Sequence, residues 1–281
     1  MTGPPPGSVG LALGAGGARG IAHIVVLETL DELGITPALI AGASIGAIAG
    51  ACHAAGMSGA ELRAWLLERA ADRVGMMRGL VAARVPGLGD LFTLGGNPVL
   101  VDPERLARIF LPEAVPEVFE DLRFPLITVA TDFYSQRQHL SGTGPLRPAL
   151  AASMAIPGMF RPVEIDGRVL IDGGMTNPLP FDLLAERVEI VVAVDVNGAP
   201  REGDRPGGRV PRPLDALVAS FQIMAEAITV EKAARVAPDV LLRPAVSRFR
   251  VLDFLKAPAI LEAAEPLRDQ LKRALASRLS G

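Results

Sequence analysis

The sequence predicts an α/β protein with neighbouring parallel strands. Its first part alternates apolar runs and helical patterns in the order strand, glycine loop, helix, strand, turn, helix, which implies parallel strands joined by right-handed crossovers. A later run, IVVAVDV at 190–196, is strongly apolar, as expected for a central parallel strand. With 281 residues, of which 49% are hydrophobic, we expect a flexible tail at 1–8 and a single domain over 9–281.

The first half of the chain divides into elements by apolar periodicity and by residues that start and end helices. We expect a strand at 8–13, a glycine loop at 14–20, a helix at 21–33, a strand at 39–41, a helix after Ser44 and an amphipathic helix at 59–78. Residues 76–96 lack a clear period. They are either a mobile cover over the site or an irregular connection. Their apolar residues are candidates for an acyl groove, an interfacial face or ordinary core: Met76, Met77, Leu80, Leu88, Leu91 and Phe92.

The second half continues the alternation of strands and helices. We expect a helix at 102–110 capped by Asp102, a buried strand at 124–131, a helix at 149–156, a hairpin of 163–165 and 168–171 around Asp166-Gly167, a helix at 181–187 and the strand at 190–196. A Pro/Gly/Arg-rich loop at 199–213 follows. The helical C-terminal part, 214–281, then contains a helix at 214–236, a short strand at 240–244 and a helical tail at 259–279.

Composition narrows the possible functions. The 28 basic and 31 acidic residues are nearly balanced and aromatic residues make up 4%, so the chain lacks the basic footprint and the stacking surface of a nucleic-acid-binding protein. The lone cysteine, Cys52, fits a reducing compartment. The first residues, MTGPPPGS, lack the features of a secretory signal. Residues 33–60 carry no Asp, Glu, Lys or Arg, but they are rich in Ala and Gly, so we expect a cytoplasmic chain without a transmembrane helix.

The candidate nucleophile is Ser44. It lies between Gly42 and Gly46 where the strand at 39–41 meets the next helix. Glycines two residues either side of a serine allow a tight strand-to-helix turn that exposes the hydroxyl, the nucleophile elbow. The alternative is an Ala/Gly-rich helix start in which Ser44 is only the N-cap.

A serine nucleophile needs a base, and a histidine is poorly placed to supply it. No histidine follows His139, and His53 lies about 13 Å along the helix and on its opposite side from Ser44. His23 and His139 are most simply packing or surface residues. A desolvated carboxylate can act instead, and Asp172, before Gly173-Gly174, is the best candidate. The alternative is a turn-capping aspartate.

The glycine loop GAGGARG supplies candidate electrophilic groups. Successive amides at such a turn point to one spot and stabilise an oxyanion, with Gly16, Gly17 and Ala18 as donors. A dinucleotide site is excluded because the third glycine position of G-x-G-x-x-G is Arg19, and G-K-[ST] is absent. A phosphate-binding loop remains an alternative. We expect no cofactor and no metal ion.

Three of these segments together resemble the patatin-like phospholipase family: AGGARG at 15–20, GASIG at 42–46 and DGG at 172–174. The likeness continues in ASMAIPGMFRPVEIDGRVLIDGG and NPLP and spans about 9–196. The resemblance implies a three-layer α/β/α sandwich with a mostly parallel central sheet. It also implies a catalytic Ser44–Asp172 dyad and an oxyanion loop of Gly16, Gly17, Ala18 and Arg19. Ala15 departs from the family, in which many members have glycine.

The implied function is that of a serine acyl hydrolase, a phospholipase A, lysophospholipase or carboxylesterase. It would cleave ester bonds of acyl lipids through an acyl-enzyme. Peripheral contact with a membrane surface is compatible with this function. Two alternatives stay open: an acyltransferase that uses the same acyl-enzyme, and a non-catalytic regulator that binds lipid or phosphate.

Overall fold

The computed structural model describes residues 4–72, 75, 102–198, 210 and 213–279. Two sequence predictions therefore lie largely outside the described residues: the cover at 76–96 and the loop at 199–213. The strands are β1 (Val9–Leu13), β2 (Leu39–Ala43), β3 (Leu126–Asp132), β4 (Arg137–Ser141), β5 (Val163–Ile165), β6 (Arg168–Asp172), β7 (Ile190–Val194) and β8 (Val240–Leu242). The α-helices are α1 (His23–Glu32), α2 (Ile45–Ala54), α3 (Gly59–Ala71), α4 (Pro103–Phe110), α5 (Leu146–Ser153), α6 (Pro213–Ala233), α7 (Ala257–Ala264) and α8 (Pro266–Leu279).

These strands form one mixed sheet. The hydrogen-bonded order is β5-β6-β3-β2-β1-β7-β8, and β4 also pairs with β3. The pairings from β3 through β2, β1 and β7 to β8 are all parallel. β4, β5 and β6 are antiparallel to their partners. The carboxyl ends of the parallel strands thus lie at one edge of the sheet, where ligand sites of open α/β sheets form.

Helical layers cover both faces of the sheet, and strand alternation decides which residues each layer buries. Leu11 and Leu13 of β1 face a core built with α1, α2, α7 and α8. Ala12 faces the opposite core, which contains Phe181, Leu184 and, at its margin, Ala233 of α6. The fold is therefore a three-layer α/β/α sandwich, as the family resemblance implied.

Strand β3 has three partners, and its register places two of them along one edge. β4 pairs with Thr128–Asp132, which fills one edge of β3. β2 therefore lies on the other edge, along Leu126–Val129. β6 overlaps β4 on residues Ala130–Asp132, so it must share the edge with β2, and it runs in the opposite direction. β2 and β6 thus approach each other end to end.

This arrangement brings two distant residues together. β2 ends at Ala43, opposite Val129, and the next residue is Ser44. β6 ends at Asp172, opposite Ala130. Because Val129 and Ala130 are consecutive, Ser44 and Asp172 meet although they are 128 residues apart in sequence.

Local sequence signals set several element boundaries. Asp102 caps α4 by accepting from the amides of Glu104 and Arg105 at 3.0 and 3.1 Å. The predicted hairpin is confirmed, and its turn residues, Asp166 and Gly167, have φ values of 51° and 73°. Positive φ at both positions is the type I′ geometry that Asp-Gly favours.

Three element predictions need correction, and one strand was not predicted. The predicted helix at 181–187 is wrong: the segment is a 3₁₀ turn at Phe181–Leu183. Leu183, Leu184 and Arg187 donate to carbonyls three residues back, and side chains at this spacing eclipse, so Phe181 and Leu184 can both be buried without an α-helix. The strand β4 was not predicted, the helix at 21–33 begins with a 3₁₀ turn at Gly17–Ala22, and the helical tail is two helices divided before Pro266.

Candidate active site

Ser44 occupies a strained turn between β2 and α2. Its φ and ψ are 54° and −125°, a region that non-glycine residues adopt only when the surrounding structure enforces it. A Cβ atom on Gly46 would lie 2.1 Å from Leu13 O, and one on Gly42 would lie 2.6 Å from Ala47 N. Both positions therefore need glycine. The Ser44 side chain makes no cap hydrogen bond to α2, so it is not merely the N-cap of this helix.

The Ser44 hydroxyl points to Asp172. Ser44 Oγ donates to Asp172 Oδ2 at 2.6 Å. The second carboxylate oxygen, Oδ1, accepts from Gly174 N at 2.7 Å. The two side chains are buried, with 4% of Ser44 and 2% of Asp172 exposed. The contact has the length of a charge-assisted hydrogen bond between a hydroxyl and a carboxylate.

Burial increases the proton affinity of the Asp172 carboxylate. It raises the pKa of the carboxyl from 3.8 to about 6, and the hydrogen bonds from Ser44 and Gly174 partly oppose this shift. A carboxylate with this pKa is mostly ionised at neutral pH and is a better proton acceptor than an ordinary aspartate.

Two of the three histidines hydrogen-bond to backbone carbonyl groups, and the third lies on β4. Nε2 of the fully buried His23 donates to Gly14 O at 2.9 Å, and burial lowers the pKa of His23 to about 4, which keeps the ring neutral. His53 Nδ1 hydrogen-bonds to Met57 O at 3.0 Å. His139 lies on β4, opposite Ala130. The serine is thus paired with a carboxylate, not with an imidazole.

The glycine loop borders the same cleft, and the amide of Ala18 is hydrogen-bonded to another segment of the protein. Gly16 and Gly17 line the cleft together with Ser44 and Asp172. Ala18 N donates to Val251 O at 2.8 Å. The Ala18 amide is therefore hydrogen-bonded within the protein, and its expected role as an oxyanion donor stays a prediction.

Arg19 braces the loop from inside the protein. Its side chain is 2% exposed, and Nη1 donates to Asn197 O. Gln222 of α6, with its amide oxygen turned to the guanidinium, accepts from Nη1 at 2.7 Å. Burial lowers the pKa of Arg19 to about 10, against the opposing charge of Asp253. These contacts join the loop to the end of β7 and to α6.

The rest of the cleft is largely apolar. Its apolar lining outside the three motifs consists of Ile156, Met159, Met175, Val218, Phe221, Ala225 and Val251. Such walls suit a hydrocarbon chain next to the polar dyad.

Two further properties concern only the described part of the chain. There, no cluster of three or more His, Cys, Asp or Glu side chains is arranged to hold a metal ion. None of the helices described has the length and apolar character that crossing a bilayer would require.

Fold and site together define a class: an α/β/α protein with an elbow serine at the carboxyl edge of its parallel strands. The family follows from comparison with known proteins. Residues 11–185 match the model of the family described as patatin-like phospholipase, which is more than half of the chain. The chain belongs to this family, a class of lipid ester hydrolases, and the resemblance inferred from the motifs is confirmed.

Individual relatives are similar over part of their length. An uncharacterized NTE family protein of Mycobacterium tuberculosis (strain CDC 1551 / Oshkosh) is 37% identical over 192 residues, which is 68% of this chain and 49% of the relative. Patatin-like phospholipase domain-containing protein 7 of Rattus norvegicus is 31% identical over 192 residues, 67% of this chain and 14% of the relative. The chain thus spans about half the length of the mycobacterial relative.

A solved structure is also similar. The full-length ExoU of Pseudomonas aeruginosa, in complex with SpcU, gives a TM-score of 0.46 at 15% identity, covering 99% of this chain and 54% of the other chain.

Proposed function

We propose that this protein is a serine acyl hydrolase that cleaves ester bonds of acyl lipids, with Ser44 as nucleophile and Asp172 as general base. The observation that carries the proposal is the 2.6 Å hydrogen bond from Ser44 Oγ to Asp172 Oδ2 inside a buried cleft. A hydroxyl bonded to a desolvated carboxylate is the arrangement that activates a weak oxygen nucleophile.

The first half-reaction forms an acyl-enzyme. Asp172 accepts the Ser44 proton while Oγ attacks the ester carbonyl carbon. The amides of Gly16 and Gly17, which border the cleft, supply the donors for the resulting oxyanion. The ester C–O bond then breaks, and Asp172 returns the proton to the leaving alcohol oxygen.

The second half-reaction releases the acid. Asp172 accepts a proton from water as that water attacks the acyl carbonyl. Collapse of the tetrahedral intermediate breaks the bond between Oγ and the carbonyl carbon, and the proton returns to Ser44. The apolar cleft residues around the dyad suit the acyl part of the substrate.

The outer face of α6 supports the peripheral membrane contact. Val218, Phe221 and Ala225 of this helix line the cleft. Its solvent side carries four large apolar side chains that are each about half exposed: Leu217, Ile223, Met224 and Val230. A lipid surface in contact with this face would present acyl chains beside the cleft. Sedimentation with phospholipid vesicles tests this contact. The double variant Leu217→Ser/Met224→Ser should bind to the vesicles less than the wild type.

The decisive experiment is labelling with a fluorophosphonate probe followed by intact-mass and peptide mapping. We expect one adduct, on Ser44, and none in Ser44→Ala. Turnover of lysophosphatidylcholine, phosphatidylcholine and p-nitrophenyl acyl esters should disappear in the same variant. A wild-type protein that folds but takes no label and hydrolyses none of these esters would refute the proposal.

A further inference from the structure

The amide of Ser44 does not continue the hydrogen-bond ladder between β2 and β3. Ile40 N donates to Pro125 O at 3.0 Å. The two-residue repeat of a parallel ladder would direct Ser44 N to Val129 O. Instead, Ser44 N donates to Ser153 Oγ at 2.9 Å, and this hydroxyl donates to Val129 O at 2.6 Å. The Ser153 hydroxyl is therefore inserted into the ladder at the residue that carries the nucleophile.

The insertion occurs where β2 has to leave β3. Asp172 of β6 pairs with Ala130, the residue after Val129 on the same edge. A Cβ atom on the following Gly173 would lie 2.1 Å from Val129 O, so the chain of β6 passes directly over this carbonyl. A direct bond from Ser44 N to Val129 O would bring the end of β2 into the same space. The hydroxyl keeps both groups bonded while the strands stay apart.

The segment that supplies this hydroxyl also holds the base. Ala155 O accepts from Asp172 N at 3.0 Å. Ser153, the last residue of α5, is fully buried, as is Ala155. Two residues of one short segment, Ser153 and Ala155, thus bond the backbones of Ser44 and Asp172, and their spacing fixes the relative position of the two side chains.

We infer that Ser153 is a positioning residue, whose hydroxyl holds Ser44 within hydrogen-bond reach of Asp172 without touching the substrate. This inference rests on the proposed function. Removal of the hydroxyl leaves Ser44 N and Val129 O without their shared partner, or lets β2 close onto β3. Either change turns the Ser44 hydroxyl away from the carboxylate.

The test compares Ser153→Ala, which removes only the hydroxyl, with Ser153→Thr, which keeps it. For Ser153→Ala we expect kcat and the rate of fluorophosphonate labelling to fall roughly tenfold to hundredfold per folded molecule, with KM nearly unchanged. Ser153→Thr should recover most of the rate. Thr29→Val is the matched control, because Thr29 is equally buried and its hydroxyl donates to Val25 O at 2.6 Å. This control should keep the wild-type kcat.

The pH profile separates positioning from general destabilisation. The hydrogen bond from Ser44 lowers the pKa of Asp172. Its loss in Ser153→Ala should therefore move the acid limb of the kcat profile to higher pH, whereas Thr29→Val should leave this limb in place. If Ser153→Ala does not fold, Ser153→Cys, with its weaker thiol donor, should show the same changes at smaller size.

The outcomes distinguish the two proposals. If wild-type protein labels at Ser44 but Ser153→Ala labels at the wild-type rate with an unshifted acid limb, the inference about Ser153 is wrong and the proposed function stands. The inference is also wrong if Ser153→Ala loses rate only in proportion to its loss of folded protein, and to the same extent as Thr29→Val. If the wild type does not label, the proposed function itself fails.

Discussion

Asp172 and Glu28 are both buried carboxylates, and the protein surrounds them in opposite ways. Asp172 accepts from two uncharged donors, Ser44 Oγ and Gly174 N, and burial raises its pKa to about 6. Glu28 accepts from Arg63 Nε and Nη2 at 2.6 Å and from Arg268 Nη2 at 2.9 Å. Burial alone would raise the pKa of Glu28, but the hydrogen bonds and charges of the two guanidinium groups lower it below its ordinary value.

The difference agrees with the proposed function, in which Glu28 stabilises the fold and Asp172 acts as a base. Glu28 joins three helices, since it lies on α1, Arg63 on α3 and Arg268 on α8. Arg63 and Arg268 also bind Glu265 and Glu32, so the charges are shared within one network. Asp172 is buried in the cleft next to a strained serine, and its two hydrogen-bond donors, Ser44 Oγ and Gly174 N, carry no charge. A raised pKa beside a nucleophile indicates function, whereas a lowered pKa inside an ion-pair network indicates structure.

The substitution Asp172→Asn is the strongest test of the difference between the two carboxylates. The amide keeps the shape of the side chain and can still accept from Gly174 N, but it cannot take a proton. We expect ester turnover to fall by roughly 10³-fold or more. The control is Asp132→Asn on the neighbouring strand β3, where Asp132 pairs with Arg168, and its turnover should stay within a few-fold of the wild type. Wild-type turnover in Asp172→Asn would remove Asp172 from the mechanism.

The pH dependence of turnover tests the same difference without mutation. Asp172 must be ionised to act as a base, and its pKa is raised to about 6. The rate should therefore rise with pH through about 6 and level off above 7. Below the midpoint it should fall about tenfold per pH unit. Initial rates between pH 4 and 8, with recovery of activity after return to pH 7.5, measure this limb. A rate that is constant down to pH 4 would contradict the role of a high-pKa base.

Glu28→Gln should damage the other region and spare the active site. The substitution removes the negative charge between Arg63 and Arg268, so we expect the free energy of unfolding to fall by about 2–3 kcal/mol. Urea unfolding measures the loss. Glu32→Gln is the matched control on the same helix, because Glu32 is nearly half exposed and its pairs should contribute less than about 0.5 kcal/mol. Equal effects of the two substitutions would show that Glu28 does not organise this network.

The sequence predicted the members of the candidate site better than their arrangement. Ser44 and Asp172 each stand in a local pattern of glycines that a tight turn or a close backbone approach requires. Their contact depends instead on the register of β3, which β4 fixes by filling one edge. β4 was missed because its sequence, RQHLS, is mostly polar and partly exposed, without the alternation of a half-buried strand.

Long-range hydrogen bonds of the backbone could not be predicted from the sequence either. Ala18 matches the expected oxyanion loop, yet its amide is bonded to Val251, which lies far along the chain in a segment without a distinctive pattern. Ser153 appears in the sequence as an ordinary residue of an alanine-rich helix. Its role depends on the bond that β2 would otherwise make to β3, and only the register reveals that bond.

The smallest expected effect concerns the stability of Asp172→Asn. A carboxyl with a raised pKa binds its proton more tightly in the folded state, so it costs stability as pH rises from about 4 to 6 and beyond. An amide has no such cost. We therefore expect the free energy of unfolding of Asp172→Asn to exceed that of the wild type by about 1–2 kcal/mol at pH 8, and to equal it near pH 4. Asp132→Asn should show the opposite sign, because hydrogen bonds from the Ser135 amide and Arg168 lower the pKa of Asp132. Urea unfolding of both variants at the two pH values measures these differences in the free energy of unfolding. If Asp172→Asn is more stable than the wild type by the same amount at both pH values, burial of the charge is not the cause.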